Sequence, residues 1–353
     1  MVSAVASDSI MLSCRGLWKV FGPRPGYYFD TTGYRIDPEA LVARLRQEGH
    51  IPAVADATFD VRKGEIFVIM GLSGSGKSTL VRCLSRLLDI EYGVLEFEGR
   101  DLSRISGREL TEIRRRKMGM VFQSFGLMPH LTALENVAFP LKLQGMARAP
   151  REARAREMLE LVELAARADA LPAQLSGGQQ QRVGIARSLA PDPELWFLDE
   201  PFSALDPLIR RQMQDEFLRL QRQLKKTIIF ITHDIMEACR LADRIALMRG
   251  GQIIQIGTPA EILLSPADDY VASFTAEVAL SRAIRVRDLM TPGGMSGAAD
   301  GPAVASEALL ETLLPDLATG RRQFAVAGAP GMVLEAEAVL AVLRRDASGA
   351  GER

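Results

Sequence analysis

The chain has 353 residues, enough for one large domain or two moderate ones around a substantial core. Hydrophobic residues at 47% and charged residues at 25% are ordinary globular proportions, and a net charge of -1 leaves no electrostatic footprint for a nucleic-acid partner. Cys14, Cys83 and Cys239 are too scattered for a metal spacing or a disulfide framework, and their odd number fits a reducing compartment. Residues 1–13 lack the basic start and apolar run of a secretory signal, and no stretch approaches the roughly 20 apolar residues that cross a bilayer.

In chain order, residues 10–21 and 55–70 carry strand-like patterning. Between them, Asp37-Pro38 opens a short amphipathic helix with the stripe Leu41, Val42, Leu45, closed by Gly49. The run Glu65 to Met70 is continuously apolar, as in a buried parallel strand. A glycine-rich turn follows, then a helix from Lys77 to about Leu88. The basic cluster Arg114 to Lys117 reads as a solvated helix end before a buried strand. Residues 133–170 form a mostly helical block with expected breaks at Pro140, Pro150 and Pro172. Leu195 to Leu198 and Thr227 to Thr232 are further buried strands with a helix between them. Strands alternating with helices imply an α/β fold with a parallel sheet wrapped by helices. Thr291 to Ala303 is rich in Gly, Ala and Pro, and the chain from about Leu280 onward reads as a separate appendage.

Two clusters carry chemistry. Gly71 to Thr79 matches GxxxxGK[ST] between a predicted strand and a predicted helix, the context that this phosphate loop requires. Gly71, Gly74 and Gly76, with Ser73 and Ser75, let backbone N–H groups point inward at phosphate oxygens, and the following helix adds its positive end. Lys77 is expected to reach the β- and γ-phosphates and Ser78, followed by Thr79, to bind Mg²⁺ through oxygen. The second cluster is the acid pair Asp199-Glu200 ending an apolar strand. Asp199 suits an indirect hold on Mg²⁺, and Glu200 suits a general base on the attacking water.

Leu175-Ser176-Gly177-Gly178-Gln179, placed between the phosphate loop and the acid pair, resembles the signature of ABC ATPases. The resemblance covers residues 10–275 and implies a P-loop nucleotide-binding domain with an inserted helical subdomain at about 124–190. It implies ATP and Mg²⁺ as ligands and a head-to-tail homodimer in which the signature faces ATP held by the opposite subunit. Ser176 would donate its hydroxyl to the γ-phosphate, and Gly177 and Gly178 would expose backbone N–H groups. By the same resemblance Phe21 stacks on adenine and Gln123 is the lid glutamine that senses Mg²⁺ and water. Ser203-Ala204-Leu205-Asp206 crosses the dimer interface, and His233 is the switch histidine. His130 reads as structural or at a partner contact, and His50 as structural.

Within the family, the long interval from Phe21 to Val54 and the wording of residues 65–78, 120–132 and 202–210 resemble the ATPase subunits of glycine betaine/proline and choline importers. Such a subunit sits at the cytoplasmic face of the membrane, with integral-membrane permease subunits as partners and an extracytoplasmic solute-binding protein acting indirectly. Val286 to Pro292 resembles the opening of a CBS module. A helix at Ala305–Leu317, a strand at Gln323–Ala327 and a strand running into a helix at Met332–Arg344 would complete one such unit. The domains expected are therefore 1–279, with an insertion at about 22–53, and 280–353. The alternatives weighed are an importer of amino acids or another small solute, and a soluble ABC ATPase acting on DNA or ribosomes. The short interval from Lys77 to Ser176 and the single ATPase half speak against the latter. Glu200 and His233 speak against a non-hydrolysing regulator.

Overall fold

The computed structural model describes residues 10–30, 37–122, 126–203, 205–276, 278–293 and 301–350. Gln123 and Ala204 therefore lie outside the described residues, as does the segment 294–300 within the Gly/Ala/Pro-rich stretch. The chain divides into two compact units, Met1–His233 with Ala246–Ile254, and Asp234–Ile245 with Gln255–Arg353.

Two sheets build the first unit. One is antiparallel, in the order Ile51–Arg62, Ile10–Phe21, Tyr92–Phe97, Arg100–Asp101. The other has six strands in the order Gln252–Gly257, Arg244–Arg249, Ile66–Met70, Thr227–Thr232, Leu195–Asp199, Met118–Val121, and its last four strands run parallel. The apolar strands Ile66–Met70, Leu195–Asp199 and Thr227–Thr232 are buried at every position, which is why their sequences do not alternate. The patterned run 55–70 is two strands in different sheets. The chain turns at residues 62–65, where Glu65 N–H donates to the Arg62 carbonyl and the Glu65 carboxylate accepts from Arg62 N–H at 2.6 Å.

The insertion after Phe21 shares a small core with the flanking strands. Pro38–Gln47 is helical, with the Asp37 carboxylate accepting from the N–H groups of Glu39 and Ala40. Val42 and Leu45 of the expected stripe are buried and pack with Trp18, Val20, Tyr28, Phe29 and Ala55. Phe29 tilts against Trp18 at 5.6 Å and stacks on Tyr92 at 5.3 Å between ring centroids.

Helices Ala133–Leu143 and Arg148–Leu161 fill most of the expected helical block, and a third helix, Gly177–Leu189, follows it. Contrary to expectation, Pro140 lies inside the first helix and Pro150 inside the second. Pro150 is the third helical residue, where a missing N–H costs no intrahelical bond. The helix after the phosphate loop ends at Leu84, earlier than the patterning suggested, because Arg86 turns left-handed at φ 54°, its N–H donating to the Cys83 carbonyl at 2.9 Å and the Leu87 N–H to the Arg82 carbonyl at 2.8 Å. Lys117 behaves as the end of a solvated helix should, pairing with Glu98 and Glu194 before the strand Met118–Val121.

In the second unit a four-stranded sheet runs in the order Thr291–Pro292, Met332–Glu335, Gln323–Ala327, Val304–Ala305. Ile284, Val286, Leu310, Phe324, Leu334 and Val339 of this unit are fully buried. The segment 305–317 is not one helix: Val304–Ala305 pairs parallel to Val326–Ala327, and helical turns begin only at Leu310. Between them Ala308 N–H donates to the Ala305 carbonyl in a turn, which backbone bonds from Val286 N–H to Ala308 and from Arg287 N–H to Ser306 pin in place. Among the described residues no helix is long and apolar enough to cross a membrane.

Candidate active site

The register of the parallel strands brings the chemistry-bearing residues together. Met70 lies opposite Thr232, and Asp199 opposite Ile231, so Gly71, Glu200 and His233 all leave the sheet at the carboxyl ends of neighbouring strands. In open α/β sheets that edge is where ligands bind.

The phosphate loop is tightly enclosed. Gly76 has φ 102°, and a Cβ there would lie 2.1 Å from the Ala53 carbonyl oxygen. A Cβ on Gly71 would lie 2.3 Å from the Met248 carbonyl oxygen. Only glycine fits these approaches. Lys77 opens the helix Lys77–Leu84, and its buried ammonium folds back to donate to the carbonyls of Gly71 at 2.8 Å and Leu72 at 3.0 Å. Burial lowers the Lys77 pKa, opposed by the nearby carboxylates of Glu200 and Asp199. The Ser75 hydroxyl is buried without a hydrogen-bond partner among the described residues. A glycine cradle, a helix N-terminus, a desolvated ammonium and an unsatisfied hydroxyl together fit an incoming polyphosphate.

Opposite the loop, Ser78 donates its hydroxyl to Asp199 at 2.9 Å. Asp199 is buried, and desolvation raises its pKa while the Ser78 bond and Arg82 act in the other direction. Glu200 takes a left-handed φ of 45°, a conformation costing a non-glycine residue about 1 kcal/mol. The turn is pinned from both sides. Glu200 N–H donates to the Ile231 carbonyl at 3.1 Å, and its own carbonyl accepts from Ser203 N–H and hydroxyl at 3.2 and 2.9 Å. The Glu200 carboxylate meets His233 Nδ1 at 3.2 Å.

A cleft of about 650 Å³ lies over these groups, lined by Phe21, Ser73, Gly74, Gly76, Lys77, Ser78, Thr79 and Glu200. Phe21 is half-exposed at the end of its strand, with the Lys19 ammonium 5.2 Å from its ring centroid. An aromatic face, the phosphate loop and a carboxylate thus line one cleft. Arg46, His50, Ile51, Pro52, Gly250 and Gly251, none of which belongs to a sequence motif, also line it. His50 combines the structural role expected of it with a place in this wall. Its Nε2 lies 2.9 Å from the Pro23 carbonyl oxygen, and its ring meets Tyr28 edge-on.

A family model described as ABC transporter matches residues 54–203. Over 328 residues, the chain is 51% identical to the trimethylamine N-oxide transport system ATP-binding protein TmoW of Ruegeria pomeroyi, covering 93% of this chain and 94% of that protein. The chain belongs to the ABC transporter family. It is an ATP-binding subunit of such a system and hydrolyses ATP. It is also 47% identical over 281 residues to the glycine betaine/proline betaine transport system ATP-binding protein ProV of Salmonella typhimurium, covering 80% of this chain and 70% of that protein. The dimeric post-hydrolysis structure of the ATP-binding cassette MJ0796 bound to ADP and Pi matches with a TM-score of 0.58 at 33% identity. That match covers 70% of this chain and 99% of that one.

The signature lies apart from this cleft: none of Leu175 to Gln179 is among the residues lining it. Ser176 caps the helix Gly177–Leu189 in a reciprocal box, its hydroxyl accepting from Gln179 N–H while the Gln179 side chain accepts from Ser176 N–H. Leu175 is buried beneath it, and nothing crowds the Cα of Gly177. Ser176 and Gly177 at the N-terminus of this helix are exposed. In the following loop Leu205 is buried and Asp206 caps the helix Pro207–Leu224 by accepting from Ile209 N–H at 3.1 Å.

Proposed function

We propose that this chain powers the import of a small methylated-amine osmolyte, with trimethylamine N-oxide as the first candidate and glycine betaine or proline betaine as the second. The carrying observation is the reach of the similarity. It extends through 94% of the trimethylamine N-oxide relative but 70% of the proline betaine relative. The chain would work at the cytoplasmic face as a homodimer beneath integral-membrane permease subunits, fed indirectly by an extracytoplasmic solute-binding protein. Residues 280–353 would form a single CBS-like appendage.

In this reading adenine stacks on Phe21, and Lys77 exchanges its loop carbonyls for phosphate oxygens. Ser78, Asp199 and Gln123 would hold Mg²⁺, which when bound neutralises charge on the phosphates. The Ser78 hydroxyl and the Asp199 carboxylate, 2.9 Å apart, are oxygen donors of the kind a hard cation takes. Glu200 takes a proton from the attacking water, and His233, already beside Glu200, orients the reacting end. Ser176, Gly177 and Gly178 of the opposite copy would close over the γ-phosphate, with Ser203 to Asp206 at the seam. The exposed Ser176 and Gly177 and the dimeric form of the MJ0796 cassette support this arrangement.

The test is reconstitution with a permease and a solute-binding protein that assemble with this chain. Trimethylamine N-oxide should stimulate ATP hydrolysis and enter vesicles at lower concentration than glycine betaine. A system responding only to amino acids would overturn the osmolyte reading.

A further inference from the structure

The nucleotide cleft is partly built by the insertion. Among the described residues, Arg46 and Lys77 are the only lysine or arginine side chains lining it. Lys77 serves the loop end. Arg46 stands on the last turn of the helix Pro38–Gln47, exposed and on the same wall as Phe21, His50, Ile51 and Pro52.

Its position is fixed from two directions. Leu45 and Val42 anchor the helix in the aromatic core with Trp18 and Phe29. One guanidinium nitrogen donates to the Gly250 carbonyl at 3.1 Å. The neighbouring Gly251 donates its N–H to the Ser75 carbonyl at 3.0 Å and accepts from Ala55 N–H at 2.8 Å, which ties this turn to the phosphate loop. A guanidinium has five N–H donors, and the Gly250 carbonyl engages one of its nitrogens. The ring nitrogens of His50, which also lines the cleft, are already directed at the Glu48 and Pro23 carbonyls.

We propose that Arg46 is a nucleotide-binding residue: its guanidinium donates to phosphate oxygens of the ATP whose base stacks on Phe21, so the insertion supplies part of the nucleotide site. The assignment rests on the nucleotide cleft and is independent of which solute is carried. An arginine near a helix C-terminus can also serve only the helix dipole or hold a carbonyl, so the test separates charge from tethering.

Equilibrium binding of ATP, ADP and adenosine to the full chain is measured for the wild type and for Arg46→Gln, Arg46→Lys and Arg46→Ala. Arg46→Gln retains a neutral donor for Gly250 and loses the charge. Loss of one charge-assisted hydrogen bond should weaken ATP and ADP binding about tenfold in Arg46→Gln and Arg46→Ala. Arg46→Lys should recover part of the loss, and adenosine should bind all four proteins alike. Wild-type ATP affinity in Arg46→Gln would overturn the proposal and leave Arg46 a tether. An equal loss for adenosine would overturn it too, because the defect would then lie in the cleft wall.

Discussion

Asn136 is fully buried in the helix Ala133–Leu143, yet every polar atom of its side chain is used. Its amide nitrogen donates to the carbonyls of Met128, Leu131 and Thr132 at 3.1, 2.9 and 3.0 Å, and its Oδ1 accepts from Met128 N–H at 2.8 Å. One side chain thus staples the loop 128–132 onto the helix. Two amide hydrogens and one acceptor, at about 1 kcal/mol net each, make Asn136→Ala destabilising by about 3 kcal/mol. Both tryptophans, Trp18 and Trp196, are buried in the first unit, so their emission in urea reports its unfolding. The midpoint should fall by about 1–2 M given a typical urea slope for a domain of this size. Asn136→Asp should do worse at neutral pH, because it turns a carboxylate oxygen toward three carbonyls. Its folded-state pKa would be raised, so its deficit should shrink as pH falls toward the ordinary carboxylate range. A midpoint for Asn136→Ala unchanged from wild type would refute the staple, and an Asn136→Asp deficit independent of pH would refute its electrostatics.

Glu200→Gln should bind ATP but hydrolyse it at least about 100-fold more slowly, the range for loss of a general base, and single-turnover hydrolysis near the wild-type rate would remove Glu200 from that role. Asp199→Asn should raise the urea midpoint of the nucleotide-free chain at neutral pH. The raised pKa of Asp199 means that its ionised form is disfavoured on folding, a cost present above the folded pKa and absent below the unfolded one. A lower midpoint at pH 7.5, or a gain that persists into acid, would contradict that sign.

The phosphate loop, the acid pair and the signature were legible because each is local. The glycines of 71–76 are dictated by close backbone approaches, the strand before Asp199 by unbroken burial, and the Ser176–Gln179 box by a spacing of three. The insertion helix was equally open to reading, since Asp37, Pro38 and the Val42–Leu45 stripe are start signal and buried face in one short segment. The strand order was not, because it is set by pairings between distant segments, such as Ile66–Met70 with Thr227–Thr232. Nor was the contact of Ser78 with Asp199, 121 residues apart, or the left-handed turn that aims Glu200 at His233. Arg46 and Asn136 show the same limit at single residues. In sequence one is a basic residue near a helix end and the other a polar residue within a helix. Only the packing of the insertion against the Gly250–Gly251 turn brings the first to the cleft. Only the return of the loop 128–132 gives the second its four bonds.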